Sequence, residues 1–218
     1  MALHSQVAPR LRFATTFAMT REMIFALAIG YLLGSIPFGL VLTRLAGKGD
    51  IRSIGSGNIG ATNVLRTGSR PLAALTLVLD CLKATAAILI SQRLFGDEST
   101  VFAATGAFLG HLYPVWLRFR GGKGAATLLG VLIGLQIWPA AIVYALIWIF
   151  MLLTLRISSV AGMSAAVSAP IMAAIFNMSL FPMLLGFAVL VLWKHRENIL
   201  RLRKGTEPRI GSKTSSTA

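Results

Sequence analysis

The chain has 218 residues, of which 56% are hydrophobic and only 13% charged, with a mean hydropathy of +0.75. A soluble domain carries about a quarter of its residues as Asp, Glu, Lys or Arg, and a disordered chain is poor in apolar residues, so both classes are excluded. The single cysteine, Cys81, excludes a disulfide-stapled domain, and the net charge of +14 sits at the ends of apolar stretches, which suits bilayer orientation and anionic ligands rather than nucleic acid.

What remains is an all-α polytopic membrane protein, whose spans each need about 20 apolar residues. Residues 23–43 form the first, interrupted by Pro37. Residues 71–91 form the second, with Pro71 at the helix start, where its missing N–H does no harm. Residues 100–117 form the third. Two longer apolar regions follow, 125–155 and 160–193, each too long for one ordinary span and barely long enough for two. Pro139 divides the first, and the segment from Phe176-Asn177 to Phe181-Pro182 divides the second. Hydropathy therefore allows five spans or seven.

Cations give the orientation. One group comprises Arg44, Lys48, Arg52, Arg66 and Arg70; a second comprises Arg118, Arg120 and Lys123; the tail adds Lys194, Arg196, Arg201, Arg203, Lys204, Arg209 and Lys213. All three groups share one side with either count, so the positive-inside rule expects the C-terminus in the cytoplasm and the N-terminus outside. Arg156 is cytoplasmic only with seven spans, which favours seven. Residues 1–22 carry no motif and are expected to be an extension, residues 23–210 one membrane-embedded domain, and residues 211–218 a disordered polar end.

Three polar segments carry the chemistry. The loop at 45–70 is long for a compact membrane protein, and its centre reads Gly55-Ser56-Gly57-Asn58-Ile59-Gly60-Ala61-Thr62-Asn63. Its glycines let backbone approach an anion, Ser56, Asn58, Thr62 and Asn63 supply neutral donors, and Arg52 and Arg66 bracket them. Gly121-Gly122-Lys123-Gly124 stands directly before an apolar helix, the ingredients of a phosphate cradle, although the Walker A spacing is not met. The tail places His195, Glu197 and Asn198 at one membrane exit, which a purely lipid-binding basic patch would not require. His111 reads as a helix-packing residue. Asp80 and Lys83, three apart on one helix face, can pair, with a structural and a functional role equally open. Only seven acids are present, without metal-ligand spacing, so phosphate chemistry here is expected to use no metal and no cofactor.

These segments resemble the three motifs of the bacterial acyl-phosphate:glycerol-3-phosphate acyltransferase family, PlsY. The first is Gly34-Ser35-Ile36-Pro37-Phe38-Gly39 with Ile51-Arg52 and Gly55 through Asn63; the second is His111-Leu112-Tyr113-Pro114 with Gly121-Gly122-Lys123-Gly124; the third runs from His195-Arg196-Glu197-Asn198-Ile199 to Lys204-Gly205-Thr206-Glu207-Pro208. The resemblance implies transfer of a fatty acyl group from acyl phosphate to the sn-1 hydroxyl of glycerol 3-phosphate, giving lysophosphatidate and phosphate for phospholipid synthesis. It also implies a site on the cytoplasmic face of the bacterial inner membrane, with membrane lipid and an enzyme supplying acyl phosphate as partners. Lys123, Arg52 and the N–H groups of Gly57, Gly121, Gly122 and Gly124 are expected to hold phosphates. By similarity, Ser35, Ser158, His195 and Asn198 join them at the substrates, with Glu207. Ser35, Arg52, Lys123, His195 and Asn198 are the expected catalytic set. The resemblance lets a substrate phosphate take the hydroxyl proton, with His195 as the rival base. A transporter would more often show two related halves, and an alcohol phosphotransferase would need clustered aspartates; neither signature is present.

Overall fold

The computed structural model describes residues 19–211; the expectations for residues 1–18 and 212–218 lie outside the described residues. Among the described residues there are helices and short 3₁₀ turns but no strand. Helix α1 (Arg21–Gly34) starts where Thr20 Oγ1 accepts the Met23 N–H at 3.4 Å. It stops at Ser35, because Pro37 has no N–H to continue the ladder, and α2 (Phe38–Leu45) resumes the span. The 45–70 loop contains a 3₁₀ turn at Ile51–Ser53 and the short helix α3 (Ala61–Leu65). Helix α4 (Arg70–Phe95) is capped by Ser69 and carries Pro71 in its first turn, as the sequence requires.

Helix α5 (Thr100–Leu112) ends ahead of Pro114. The first long apolar region then splits into α6 (Ala125–Gly134) and α7 (Trp138–Leu155), and the second into α8 (Ser158–Phe176) and α9 (Phe181–Lys194), followed by α10 (Arg196–Arg203). The first division falls at Leu135–Ile137 rather than at Pro139, which sits inside the first turn of α7. A proline is harmless there, so it marks a start and not a kink. Among the described residues, five helical segments are long and apolar enough to cross a bilayer: Arg21–Leu45, Arg70–Phe95, Asp97–Leu117, Trp138–Leu155 and Ser158–Phe176. The α9–α10 pair, bent by 56°, makes a sixth if taken as one span, and α6 is shorter than any of these.

The packing is inverted relative to a soluble domain. Large apolar side chains such as Leu146, Phe150 and Leu153 of α7 face outward, while the interior is rich in alanine: Ala84, Ala87, Ala103, Ala104, Ala107, Ala165, Ala166 and Ala169 are fully buried. Lipid tails are as apolar as leucine, so helices gain little by hiding leucine and much by close fit. Helices α1 and α5 approach each other closely. A Cβ on Gly34 would lie 2.1 Å from the Ala107 carbonyl oxygen, and one on Gly106 would lie 2.1 Å from the Leu27 oxygen. Helix α4 touches α1, α5 and α6, and α8 packs against both α7 and α9. Gly34→Ala should therefore force two backbones apart and destabilise the fold by about 1–3 kcal/mol. Gly186→Ala in α9, where nothing lies within 4 Å, should leave stability equal to or above the parent. Thermal unfolding of the two variants in one detergent checks the contrast.

Candidate active site

At one end of the helices a cavity of about 590 Å³ is walled by three separate chain segments. Ser56, Gly57 and Asn58 come from the long loop; Tyr113, Phe119, Arg120, Gly121 and Lys123 from the connection after α5; Trp193, Lys194, Arg196, Glu197 and Arg201 from the α9–α10 junction. Five of these residues are cations and one is a carboxylate, so the walls suit a polyanion.

Lys123 is positioned from the tail. Asn198 accepts its ammonium through Oδ1 and donates Nδ2–H to Glu207 Oε1 at 2.5 Å. Glu207 also accepts from Ser159 Oγ at 2.7 Å and from Arg201 Nε at 2.7 Å. The bond to Glu207 fixes which end of the Asn198 amide faces Lys123. Desolvation pushes the Glu207 carboxyl up, but the hydrogen bonds from Ser159, Asn198 and Arg201 outweigh it and hold it below the ordinary carboxylate range. Burial lowers the Lys123 ammonium to about 8, aided by Arg201 and opposed by Glu207 and Glu197.

Several expected residues stand apart from this cavity. Ser35 is 1% exposed, and its hydroxyl donates back to the Tyr31 carbonyl at 2.6 Å. Arg52 is held by Asp50 through Nε at 2.9 Å to Oδ1 and through a second nitrogen at 2.5 Å to Oδ2. That contact holds the Asp50 carboxyl well below its usual range and raises the guanidinium. Asn63 is buried and organises the loop, donating to Ile51 O at 2.7 Å while its Oδ1 faces Ser56 and Arg66. Thr62 is exposed on α3 and does not wall the cavity. Ser158 is half-buried, and its neighbour Ser159 makes the bond to Glu207. His195 is 4% exposed and turns Nδ1 to the Val191 carbonyl at 2.8 Å, while Nε2 lies 3.9 Å from where a Cβ on Gly162 would stand.

The glycine turn works differently from a phosphate cradle. The Gly121 N–H donates to Leu112 O at 3.2 Å and the Gly122 N–H to His111 O at 3.0 Å, so these two donors are committed to the end of α5. The glycines supply room: a Cβ on Gly122 would lie 2.1 Å from His111 Nε2. Gly124, at φ 89°, packs on Phe108 and opens α6, whose first N–H groups have no side-chain cap. Among the described residues no three His, Cys, Asp or Glu side chains stand together as a metal site. Arg120, Lys194 and Arg201 were not singled out by sequence, because a basic tail and loop also describe a lipid-facing patch.

A family model described as glycerol-3-phosphate acyltransferase matches residues 24–205. The chain belongs to this family. It is 57% identical over 198 residues to a glycerol-3-phosphate acyltransferase of Mesorhizobium japonicum, covering 89% of this chain and all of the relative. It is 57% identical to one of Rhodopseudomonas palustris strain BisB5, covering 87% of this chain and 97% of the relative. The fold is similar to crystal structures of PlsY, an integral membrane glycerol 3-phosphate acyltransferase. The glycerol 3-phosphate form gives a TM-score of 0.80 at 38% identity, over 87% of this chain and 96% of that one. The lysophosphatidic acid form gives 0.78 at 37% identity, over 87% and 95%. The all-helical membrane fold and the acyltransferase family inferred from the motifs are thus shared with these relatives.

As the expected phosphate ligand, Lys123 would supply a charge-assisted contact worth roughly 1.5–3 kcal/mol, so kcat/KM of Lys123→Ala should fall about ten- to a hundred-fold. Lys123→Arg should recover only part of it, since a planar fork does not reproduce a compact ammonium. With the ammonium near 8, the parent kcat/KM should be highest below that pH, where Lys123 is charged, and decline above it as the proton is lost. The alkaline decline should vanish in Lys123→Arg, whose charge persists. Parental kcat/KM in both variants would make Lys123 a mere interface anchor.

Proposed function

We propose that the chain transfers a fatty acyl group from acyl phosphate to the sn-1 hydroxyl of glycerol 3-phosphate, releasing lysophosphatidate and inorganic phosphate. The observation that carries this reading is the junction of two unlike cavities at the first turn of α6. Gly121 and Lys123 wall the cationic cavity, while Ala125, Ala126 and Leu129 of α6 wall an apolar groove of about 190 Å³, completed by Leu77 and Cys81 of α4 and by Tyr144 and Trp148 of α7. A donor with an anionic head and an apolar chain fits across that turn, with its reactive carbonyl at the boundary.

Acyl phosphate is already activated, so positioning and charge stabilisation suffice. The glycerol hydroxyl attacks the carbonyl, Lys123 and the α6 N-terminus face the developing oxyanion and the phosphates, and the C–O bond to phosphate breaks. The hydroxyl proton leaves with the phosphate as hydrogen phosphate. His195 does not wall the cavity and is buried, which favours the substrate phosphate over His195 as proton acceptor. Arg52 serves after exchanging Asp50 for a substrate phosphate, and Ser35, Ser158, Asn198 and Glu207 support the turn and the tail around the substrates.

The chain crosses the membrane seven times, with the N-terminus outside and the C-terminus in the cytoplasm of a bacterium, at its inner membrane. Two contacts support this count. Ser159 bonds Glu207 at 2.7 Å and the Ile210 N–H bonds the Arg156 carbonyl at 2.7 Å, so the α7–α8 junction lies on the side of the tail. Lys123, just before α6, bonds the same tail through Asn198. Helices α6 and α7 must then go out and back, as must α8 and α9. Residues 23–210 constitute the acyltransferase domain and residues 1–22 are dispensable: a chain begun at Met23 should retain its specific activity.

The decisive assay offers labelled glycerol 3-phosphate with acyl phosphate or, separately, acyl-CoA. Lipid product is expected only from acyl phosphate, and EDTA should leave turnover intact because cations and N–H groups do the work of a metal. Product from acyl-CoA alone, or chelator inhibition reversed by magnesium, would refute the reading.

A further inference from the structure

Asp80 and Lys83 of α4 are buried at the centre of the helices, with side chains 4% and 2% exposed. The Lys83 ammonium has three donors and three partners: Asp80 Oδ1 at 2.7 Å, the Ile36 carbonyl at 2.8 Å and His111 Nδ1 at 2.9 Å. Each partner belongs to a different element. Ile36 lies in the break between α1 and α2, directly after Ser35, and His111 lies in the last turn of α5. An ammonium only donates, so His111 Nδ1 accepts and the ring proton resides on Nε2, the atom facing Gly122. Gly122 in turn donates to the His111 carbonyl, and Lys123 is the next residue.

We propose that Asp80, Lys83 and His111 are positioning residues for catalysis: a buried charged strut that sets the Gly122–Lys123 turn against the broken first span. The inference rests on the reading of Lys123 as the phosphate-holding group. A purely stabilising role would be served as well by apolar side chains, since replacing a buried ion pair by well-packed apolar groups is often neutral or favourable. What apolar groups cannot supply is direction. The tetrahedral ammonium binds one carbonyl, one carboxylate and one imidazole at fixed angles, and thereby fixes the His111 ring against which Gly122 packs.

The test pairs Asp80→Leu with Lys83→Met, which removes both charges together and leaves neither stranded. Folding is followed by thermal unfolding, turnover by lysophosphatidate formation, and the state of Lys123 by trace acetylation at a series of pH values with mass spectrometry. The positioning role predicts a stable double variant whose turnover falls at least about tenfold, because small misplacements of a reacting group are costly. It also predicts that the pH of half-labelling at Lys123 rises by about one unit or more towards ordinary lysine as the turn loosens into water. His111→Leu should behave in the same way, and His111→Asn, which keeps an acceptor for Lys83, should stay nearer the parent. A stable double variant with parental turnover and an unmoved Lys123 midpoint would overturn the proposal. So would a His111→Leu variant with both properties. The labelling midpoint involves no substrate, so failure of the acyl-phosphate assay would sink the proposed reaction and leave this test standing.

Discussion

A helix that ends at or within a bilayer leaves carbonyl groups that water cannot reach, and each must find a donor from the protein itself. That constraint organises this molecule. The end of α5 is the central case. Gly121 and Gly122 donate to its Leu112 and His111 carbonyls, Lys194 Nζ adds a bond to Leu112 O at 3.1 Å, and Tyr31 Oη donates to Tyr113 O at 2.8 Å. The break at Pro37 is handled in the same way, by Lys83 on the Ile36 carbonyl and by Trp116 Nε1 on the Ser35 carbonyl at 2.9 Å. Gly121, Gly122 and Trp116 belong to the connection after α5 and Lys194 to the end of α9, so the bonds that close these helix ends also hold part of the cavity wall in place.

The electrostatic arrangement follows from how few acids are available. One carboxylate, Glu207, gathers Ser159, Arg201 and Asn198, and through Asn198 it sets the direction of Lys123 without quenching its charge. A direct Glu207–Lys123 pair would neutralise the cation that the proposed reaction sets against the substrate phosphates. An amide between them orients the ammonium while keeping the cavity positive. Asp50 plays the opposite part, holding Arg44 and Arg52 in a surface cluster away from the cavity walls. An arginine already paired to a carboxylate can change partners for a phosphate dianion with little change in its own geometry, since both accept the same planar fork.

How much of this was legible in the sequence depends on the kind of signal. Apolar length located every major helix, and Pro37 marked a real break, because hydropathy and a missing N–H act locally. The small-residue spacing Gly30/Gly34 against Gly106/Gly110 also lies in the sequence as a close-contact signal, but hydropathy passes over it. The motif residues were located as segments, while their partners were not. Gly121 and Gly122 carry the composition of a phosphate cradle, yet their N–H groups close α5, and only the fold decides which acceptor is nearer. Ser158 and Ser159 are indistinguishable by type, and the phase of α8 turns Ser159 to Glu207. Arg120, Lys194 and Arg201 belong to basic runs whose members look alike until the tail folds back over the cavity.

The first turn of α6 explains why one short helix matters more than its length suggests. Its ten residues begin at a left-handed glycine between a polar cavity and an apolar groove, and its first N–H groups have no side chain to satisfy them. Tyr144 fixes this turn from the groove side by donating to Ala125 O at 2.8 Å, and Phe108 fixes it from below Gly124. A longer or capped helix would bury those donors or fill the junction. On the proposed reaction, the acyl carbonyl lies between the two cavities, and this turn is where a cationic wall and an apolar wall adjoin. The chemistry is then set by the boundary: an already activated anhydride needs its charge balanced where water is scarce, and its chain removed from the path of the attacking hydroxyl.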